Sequence, residues 1–391
     1  MNIDELLSRG VTEVIVKSEL EKKLASGKSL RIKFGVDPTR PDIHLGHAVV
    51  LWKLKQLQDA GHTIIFLIGD YTAKIGDPTG RNATRPMLSD EEIKANAKTY
   101  IDQVGQILDI AKTEVRYNSE WYEKMSFADI LLLSSKITLQ QIIERDDFAK
   151  RLKSGIEIGM HEMLYPLMQA YDSVVLKADV AFGSDQKFNE LAGRDLQKKM
   201  GQAPQDVVVT EILVGTDGKE KMSKSLDNYI AITDSATEMY GKVMSIPDSA
   251  ILTYFKLCTD VEEKALKVIE DELTSEKNPR DIKSELAKLI VERYHNAEEA
   301  EEAELEFSRV FSNKEMPTEI STHQVENDSI NIIDLICEVG FAESRGEARR
   351  LVEQGGVSID SEKITDPSLT IETSGEKILK VGKLKFVRIT K

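Results

Sequence analysis

Two histidines in the stretch "HLGH" have the type and spacing expected of a phosphate-binding site. His44 and His47 are three residues apart, so on a helix they share one face, where their ring N–H groups join the free backbone N–H groups of the helix start. Gly46 leaves room for a base or ribose to approach the backbone. We predict a nucleotide site here. The alternatives are two polar histidines on an exposed helix start, and a zinc site, for which a third ligand is not evident.

A second stretch, "DGKEKMSKS" at 217–225, places three lysines within six positions of a chain whose net charge is −15. Lysine runs usually lie on a solvated loop; the alternative is a mobile loop whose lysines close on phosphate groups. HxGH and KMSKS, in this order and within one α/β zone, resemble the paired motifs of class I aminoacyl-tRNA synthetases. This resemblance favours the clamp interpretation for Lys221 and Lys224.

The stretch "YPLMQAYD" indicates which amino acid is the substrate. Tyr165, Gln169 and Asp172 are four and three residues apart, so a helix presents them on one side. A buried carboxylate needs a partner, and a substrate phenol would be suitable; the alternative is a stripe of helical surface. The pattern resembles tyrosyl-tRNA synthetases, which implies that Tyr165 and Gln169 hold the substrate amino group and Asp172 the phenolic hydroxyl. The tryptophanyl relatives lack this Gln/Asp pair.

Further residues are assigned by the same resemblance, through "KIGDPTGR" at 74–81 and "GSDQ" at 183–186. The implied contacts are Asp77 at the substrate amino group, Arg81 and Arg85 near pyrophosphate, Gly183 and Asp185 at the adenosine ribose, and Gln186 near the substrate carboxylate. The predicted catalytic set is Thr39, His44, His47, Lys221, Lys224, Arg81 and Arg85. The predicted ATP-binding set is Gly35, Asp37, Gly46, Gly183, Asp185 and Met222.

One residue departs from the family pattern. Many tyrosyl enzymes have a tyrosine two residues before the glycine of the first strand, touching the substrate hydroxyl, whereas "RIKFG" has Lys33 at that position. A second bacterial lineage, with an intact KMSKS loop, shares the difference. Two roles are open for the Lys33 ammonium: it pairs with Asp172 and keeps it ionised, or it extends to solvent.

Alternating strand and helix patterns must position these residues. The apolar runs "SLRIKFGVD", "HTIIFLIGD", "TEVRYN", "SVVLKADVAFG" and "QDVVVTEILVG" predict strands buried on both faces, with amphipathic helices between them. One of these helices begins at Ser89, with Glu92 three residues on as a capping box. This alternation predicts a parallel sheet with crossover helices, an α/β fold of the Rossmann type.

Three domains are predicted. They are a catalytic domain at 1–240, an acidic α-helical anticodon-binding domain at 241–320, and a small α+β domain at 330–391. The last resembles the RNA-binding module of a small-subunit ribosomal protein and of pseudouridine synthases. Ten Lys and Arg side chains balance ten Asp and Glu from residue 332 to residue 391, so the excess negative charge lies before this segment. A local basic face for RNA is therefore compatible with an acidic chain.

The composition of the chain bears on its cellular compartment and on the presence of disulfides or a cysteine zinc site. The chain has no apolar run of the length that a membrane span needs and no signal-peptide pattern at its start, which predicts a cytoplasmic protein. Cys258 and Cys337 are its only cysteines, so neither a disulfide framework nor a cysteine zinc site is indicated. The resemblance implies a homodimer acting on L-tyrosine, ATP and tRNA(Tyr), with Mg²⁺ accompanying ATP and no tightly bound metal.

The predicted function is that of a tyrosine–tRNA ligase, which needs no protein nucleophile because the substrate carboxylate is already ionised. The alternatives are a tryptophanyl-type enzyme, a nucleotidyl transferase that uses only the HxGH site, and an RNA-binding protein on a decayed synthetase fold. The nucleotidyl transferase does not explain why the lysine loop, the Tyr165 helix and the RNA module occur together. The decayed fold predicts losses among the phosphate-binding residues, and none is found.

Overall fold

The computed structural model describes residues 2–39, 42–77, 89–275, 277–312, 322–325, 327–342, 344–382 and 385–391. The chain forms two compact units, Met1–Tyr294 and His295–Lys391. Within the described residues, no helix combines the length and the apolar character needed to cross a bilayer.

A six-stranded sheet organises the first unit. Its strands are β1 (Val11–Ile15), β2 (Arg31–Val36), β3 (Thr63–Ile68), β4 (Thr113–Tyr117), β5 (Val180–Gly183) and β6 (Asp206–Thr210). They lie in the order β1-β6-β5-β2-β3-β4, and β2 to β6 are parallel to one another. The predicted α/β fold with a parallel sheet is confirmed for these five strands.

Fourteen α-helices accompany this sheet within the described residues. They are α1 (Ile3–Leu6), α2 (Lys17–Ala25), α3 (Leu45–Asp59), α4 (Asp90–Val104), α5 (Ser119–Tyr122), α6 (Phe127–Ser134), α7 (Leu139–Ile143), α8 (Asp146–Lys153), α9 (Met160–Leu176), α10 (Lys187–Lys199), α11 (Ala236–Ser245), α12 (Ile251–Cys258), α13 (Glu263–Thr274) and α14 (Pro279–Tyr294). The capping box of α4 is confirmed: Glu92 N donates to Ser89 Oγ at 3.3 Å and Ser89 N donates to Glu92 Oε2 at 2.9 Å.

Two strand predictions need correction. The run "SVVLK" is not strand, because Ser173–Leu176 completes α9, which ends where Lys177 takes the left-handed conformation (φ 49°). A continuous apolar run is equally compatible with the buried end of a helix. Strand β6 ends at Thr210, so "EILVG" is not part of it. Strand β1 was not predicted: it is a partly exposed edge strand, antiparallel to β6, with Glu13 in its middle.

The helices after residue 235 belong to the first unit up to Tyr294. Helix α11 packs against α14, and α12 packs against α3, which is the helix that follows β2. The chain therefore has no structural break at residue 240 comparable with the one at 294. The segment predicted as a helical domain, 241–320, is therefore divided between the two units at Tyr294.

In the second unit, the described residues form three α-helices and seven strands. They are α15 (Ala297–Phe307), α16 (Ile332–Glu338), α17 (Arg345–Glu353), β7 (Thr322–Gln324), β8 (Ser329–Asn331), β9 (Val357–Ile359), β10 (Glu362–Ile364), β11 (Thr370–Glu372), β12 (Lys377–Val381) and β13 (Lys385–Thr390). One sheet has the order β10-β9-β12-β13-β7, and β8 pairs with β11. The α+β composition predicted for residues 330–391 is confirmed. Strand β7 and the first residue of β8 lie between the predicted domains at 241–320 and 330–391.

Candidate active site

A cavity of about 240 Å³ opens where the chain leaves the carboxyl ends of β2 and β5. These two strands are neighbours, but the chain continues from β2 towards β3 on one side of the sheet and from β5 towards β6 on the other. Ligands of open parallel sheets bind at such a switch point. The position of the cavity thus follows from the strand order.

Most of the predicted site residues line this cavity. They come from β2 and the following turn, from the start of α3, from α9, from the β5–α10 turn and from the lysine loop. Those lining it are Gly35, Asp37, Thr39, Gly46, His47, Asp77, Tyr165, Gln169, Asp172, Gly183, Asp185, Gln186, Lys221 and Lys224. His44 and Met222 are buried beside it, and Arg81 and Arg85 lie outside the described residues.

The two histidines occupy the start of α3, as predicted. His44 is the N-cap, its backbone N–H donates to Nδ1 of His47 at 3.3 Å, and the ring centroids are 3.8 Å apart. Burial lowers the pKa of the His47 ring to about 3, and the Lys224 ammonium acts in the same direction. The His44 pKa is also held well below its usual value, first by burial. Both rings are therefore neutral at pH 7. Because Nδ1 of His47 accepts, its proton is on Nε2, which is free to act as a donor.

Gly46 leaves room for the His44 ring at the start of α3. A Cβ at this position would come within 3.0 Å of Nδ1 of His44, closer than ordinary contact, whereas its distance of 3.6 Å to Cβ of Met222 would be ordinary van der Waals contact. A side chain here would therefore require the His44 ring to shift.

The two predicted clamp lysines reach into the site from the loop. Lys221 Nζ is 2.7 Å from Oδ2 of Asp185, and Lys224 Nζ donates to the Tyr100 hydroxyl at 2.7 Å. The loop is held by Asn228, whose Oδ1 accepts from the backbone N–H of Ser223 at 2.8 Å. Both ammonium groups are thereby positioned near the histidines.

The predicted amino-group site is a network of polar side chains. Tyr165 donates its hydroxyl to Oδ2 of Asp37 at 2.9 Å. Burial, followed by the Asp37 charge, raises the Tyr165 pKa well above its usual value, so the hydroxyl keeps its proton. Asp77 accepts from Gln186 Nε2 at 2.8 Å and from Arg145 at 2.9 Å. The network presents carboxylates to a positively charged group.

Asp172 lies at the buried end of the cavity, with 2% of its surface exposed. Trp121 Nε1 and the Tyr122 hydroxyl donate to its Oδ1 at 3.0 and 2.9 Å, and Asn118 Nδ2 is 3.5 Å from its Oδ2. Burial raises the pKa of this carboxyl to about 7, although the Lys33 ammonium and these hydrogen bonds lower it. The hydrogen bonds and the Lys33 charge favour the ionised form of Asp172, and burial opposes that form more strongly.

The structure answers the question about Lys33. Its side chain is 1% exposed, so it does not extend to solvent, and its Nζ is 2.9 Å from Oε2 of Glu190, which is 3% exposed. Glu190 also accepts from Gln169 Nε2 at 3.0 Å and from Gln205 Nε2 at 3.2 Å. The direct partner of Lys33 is Glu190, and its influence on Asp172 acts through space.

The sequence did not reveal the residues that pair with or hydrogen-bond to the predicted site residues. Asn118, Trp121 and Tyr122 follow the end of β4, a strand that had been predicted, so the rule that sites form at the carboxyl ends of parallel strands was the available signal. Glu190 and Arg145 gave no comparable signal, because their partners are distant in the sequence.

Among the described residues, no three or more His, Cys, Asp or Glu side chains form a group that could hold a metal ion. The carboxylates of the cavity are instead paired with cations or polar hydrogens, as for Asp185 with Lys221 and Asp77 with Arg145.

Comparisons with known proteins agree with this geometry. The family model of class I tRNA synthetases (W and Y) matches residues 25–312, and the S4 domain model matches residues 332–378. A curated tyrosine–tRNA ligase of Thermotoga maritima is 51% identical over 388 residues, covering 99% of this chain and 96% of the relative. The chain belongs to the tyrosine–tRNA ligase family. This confirms the predicted enzyme class and fold, with the S4 domain after the catalytic region.

Other members of the tyrosine–tRNA ligase family show the same relation. The tyrosine–tRNA ligase of Dehalococcoides mccartyi is 51% identical over 387 residues, covering 98% of this chain and 97% of the relative. The structure of a tyrosyl-tRNA synthetase from Archaeoglobus fulgidus, complexed with L-tyrosine, matches with a TM-score of 0.63 and 26% identity, covering 77% of this chain and 98% of that one. A truncated mitochondrial tyrosyl-tRNA synthetase from Aspergillus nidulans, at 24% identity and a TM-score of 0.65, shares the fold over 79% of this chain and 94% of its own.

Proposed function

We propose that this chain activates L-tyrosine with ATP in the cavity at the switch point and transfers the tyrosyl group to the 3′ end of tRNA(Tyr). The observation that carries the proposal is the convergence in one cavity of the residues assigned to tyrosine and those assigned to ATP. Asp172 and Gln169 from α9 lie in the same space as His47 and the lysines of the loop.

In the first step, a carboxylate oxygen of tyrosine attacks the α-phosphorus of ATP, a new O–P bond forms, and the bond to pyrophosphate breaks. Negative charge builds up on the leaving group, so fixed donors aimed at it lower the barrier. We assign that task to Thr39, His44, His47, Lys221 and Lys224, with Arg81 and Arg85. The neutral histidines act as hydrogen-bond donors, and the two lysines supply positive charge.

The substrate amino group is assigned to Asp77, Tyr165 and Gln169, and the substrate carboxylate to Gln186. ATP is assigned to Gly35, Asp37, Gly46, Gly183, Asp185 and Met222, with Gly183 and Asp185 at the adenosine ribose. Asp185 is paired with Lys221 in this structure. ATP binding would therefore exchange that ion pair for contacts of Asp185 with the ribose and of Lys221 with phosphate oxygens.

Mg²⁺ is assigned to the ATP phosphates. It prefers oxygen ligands and keeps several waters, so phosphates with one or two carboxylates are enough to bind it. Because Asp77 and Asp185 are paired with Arg145 and Lys221, the ion would be held mainly through the phosphates of ATP. The ion would offset negative charge on the phosphates.

In the second step, a ribose hydroxyl of the terminal adenosine attacks the tyrosyl carbonyl, and AMP leaves. We assign anticodon and variable-arm contacts to the segment 241–320 and to the module 330–391, which contains the S4 match. Helix α17 supports this assignment, because Arg345, Arg349 and Arg350 are exposed on it. Exposed arginines on one short helix are suited to phosphate contacts.

We propose that the enzyme is a cytoplasmic homodimer. Large exposed apolar side chains are concentrated between residues 127 and 160, on α6 to α8 and at the start of α9. They are Phe127, Leu131, Leu132, Leu139, Leu152 and Met160, which are 55–77% exposed. Exposed apolar groups at this density are typical of surfaces that another chain covers, and a second copy of this chain is the proposed occupant.

The test of the proposed function is tyrosine-dependent exchange of pyrophosphate into ATP, run with each amino acid in turn. Exchange with tyrosine alone is the expected result. Exchange with tryptophan would favour the tryptophanyl alternative, and no exchange with any amino acid would favour a binding protein on this fold.

A further inference from the structure

The buried end of the cavity contains a cation with unused hydrogen-bonding capacity. The Lys33 ammonium has three N–H donors, and within the part of the chain that the structure describes its only ion-pair or hydrogen-bond partner is Glu190, at 2.9 Å. The side chain is 1% exposed and lines the cavity. Its remaining donors therefore have to be satisfied by what the cavity holds.

The Asp172 carboxylate, at the same end of the cavity, supplies the hydrogen-bond acceptors. Oδ1 of Asp172 already accepts from Trp121 and Tyr122, while the hydrogen-bond partner of Oδ2 among the described residues is Asn118, at 3.5 Å, the outer limit of a hydrogen bond. Oδ2 is thus the atom with room for another donor. Asp172 and Lys33 line the same cavity, and Lys33 acts electrostatically on the carboxyl.

A phenolic hydroxyl fits both groups, because it donates one proton and accepts through its oxygen. We propose that Lys33 is a specificity-determining residue of the tyrosine site: its ammonium, fixed by Glu190, donates to the phenolic oxygen while Oδ2 of Asp172 accepts the phenolic proton. The inference rests on the proposed role of Asp172 as the residue that binds the phenol.

Glu190 has a positioning role in this arrangement. Its Oε2 binds Lys33, its Oε1 accepts from Gln169 Nε2 at 3.0 Å, and Gln205 Nε2 lies 3.2 Å from Oε2. It therefore links the cation at the phenol end of the cavity to Gln169, which is assigned to the amino end. Glu190 also offsets the Lys33 charge, so the ammonium and the ionised Asp172 can coexist in a buried space.

Phenylalanine would leave both groups unsatisfied. Without the hydroxyl, the spare donors of Lys33 and the free oxygen of Asp172 would be buried without partners, which is costly for charged groups. A second consequence concerns pH. The groups that act on the Asp172 charge are Lys33 on β2, paired with Glu190 on α10, and Tyr122 on α5. Removing the cation should make Asp172 take up a proton at higher pH.

The variants for the test are Lys33→Met and the double variant Lys33→Met/Glu190→Leu. The single change leaves Glu190 buried without its cation, which is strongly destabilising, whereas apolar replacement of a whole buried ion pair is often tolerated. Lys53→Met is the matched control, because Lys53 is also a buried lysine, 8% exposed, but it donates to the Leu6 carbonyl outside the cavity.

Pyrophosphate exchange with tyrosine and with phenylalanine is measured from pH 5.5 to 8.5. In the folded Lys33 variants we expect the ratio of kcat/KM for tyrosine over phenylalanine to fall about 10- to 100-fold, the range for a hydrogen bond to a charged group. We expect the acid limb for tyrosine to move up by about 1–3 pH units in Lys33→Met and by less in the double variant, which also loses the negative charge of Glu190. Lys53→Met should show neither change. A folded double variant with the wild-type ratio would overturn the proposal and leave the pair a structural element.

A measurement on the unmodified protein does not depend on folding of the variants. The amino group of 4-amino-L-phenylalanine can donate to Asp172, but its nitrogen accepts hydrogen bonds poorly. The wild type should activate this analogue at least about 10-fold less well than tyrosine, since the Lys33 contact is lost. Activation as efficient as that of tyrosine would contradict a donor role for Lys33.

Asp172→Asn separates this inference from the proposed function. If the wild type activates tyrosine and Asp172→Asn loses discrimination while the Lys33 variants keep it, only the inference about Lys33 fails. If Asp172→Asn also keeps full discrimination, the assignment of the phenol site fails with it.

Discussion

The buried carboxyl of Asp172 should make the stability of the first unit depend on pH in a direction unusual for an aspartate. Burial raises its pKa from 3.8 to about 7 in the folded chain. Between these values the folded state holds a proton that the unfolded state has released. The free energy of unfolding therefore has a contribution from Asp172 that is fully present below pH 4 and is lost as the pH rises through 7.

The size of this contribution follows from the shift. One pKa unit corresponds to about 1.4 kcal/mol, so a shift of about three units corresponds to about 4 kcal/mol between the two ends of the window. Between pH 4.5 and pH 7 the loss is about 3 kcal/mol. Asp172→Asn removes the ionisation and keeps an oxygen that can accept from Trp121 and Tyr122. The variant should therefore lack this part of the pH dependence.

The assay is urea unfolding of the wild type and Asp172→Asn at pH 4.5 and pH 8, followed by tryptophan fluorescence. The chain has two tryptophans, Trp52 and Trp121, and both lie in the first unit, so the signal reports that unit. All other titrating groups are shared, so the quantity of interest is the change in the difference between the two proteins. We expect the wild type to lose about 3 kcal/mol relative to the variant between these pH values.

Asp195→Asn is the control, since the Asp195 side chain is 58% exposed on α10 and pairs with Lys198 within the helix. Its unfolding curve should follow the wild type at both pH values within about 0.5 kcal/mol. If the wild type and Asp172→Asn showed parallel pH dependences, the carboxyl would not be the desolvated group described here. Its role in recognising the phenol would then need another explanation.

Three further predictions concern the loop, the tail and one close approach. Replacing Lys221 or Lys224 with Ala should slow adenylate formation, followed by stopped-flow fluorescence, far more than it weakens tyrosine binding, because pyrophosphate charge develops in the transition state; an unchanged rate in both variants would rule out the clamp. A chain ending at residue 312 should still form tyrosyl-adenylate but bind tRNA more weakly and with a smaller salt dependence, because phosphate contacts release counterions; loss of adenylate formation in a folded truncation would contradict separate roles. Gly69→Ala should destabilise the first unit by about 1–3 kcal/mol in urea unfolding, because its Cβ would lie 2.1 Å from Oδ1 of Asp37; wild-type stability would show that this carboxylate moves aside freely.

Local sequence patterns were enough to predict the parts of the site that one element presents by itself. The spacing of Tyr165, Gln169 and Asp172 follows from the helical period, and all three line the cavity. The start of α3 at His44 was visible for the same reason. Strand β1 was not, because its five residues, with Glu13 in the middle, are too short a run to separate a strand from a loop by periodicity.

The partners of the site residues could not be predicted in this way. Trp121 and Tyr122 are some 50 residues before Asp172 in the chain. Their hydrogen bonds depend on how β4 and α9 meet across the sheet, and a single sequence gives no measure of that distance. The same holds for Glu190, which is adjacent to Lys33 only because β2 and α10 are brought together by β5. Pairing across elements was the information that the structure added.

Lys33 shows how a local conflict in the sequence can indicate function. A lysine between Ile32 and Phe34, in a strand buried on both sides, disagrees with the apolar pattern of its own element. Such a residue must be paired when buried, and the pairing with Glu190 accounts for only one of its donors. The remaining donors face the same requirement, and the cavity that Lys33 lines is where a partner can enter. A cation that the protein only half satisfies, next to a carboxylate with one oxygen left open, is what recognition of a hydroxyl requires.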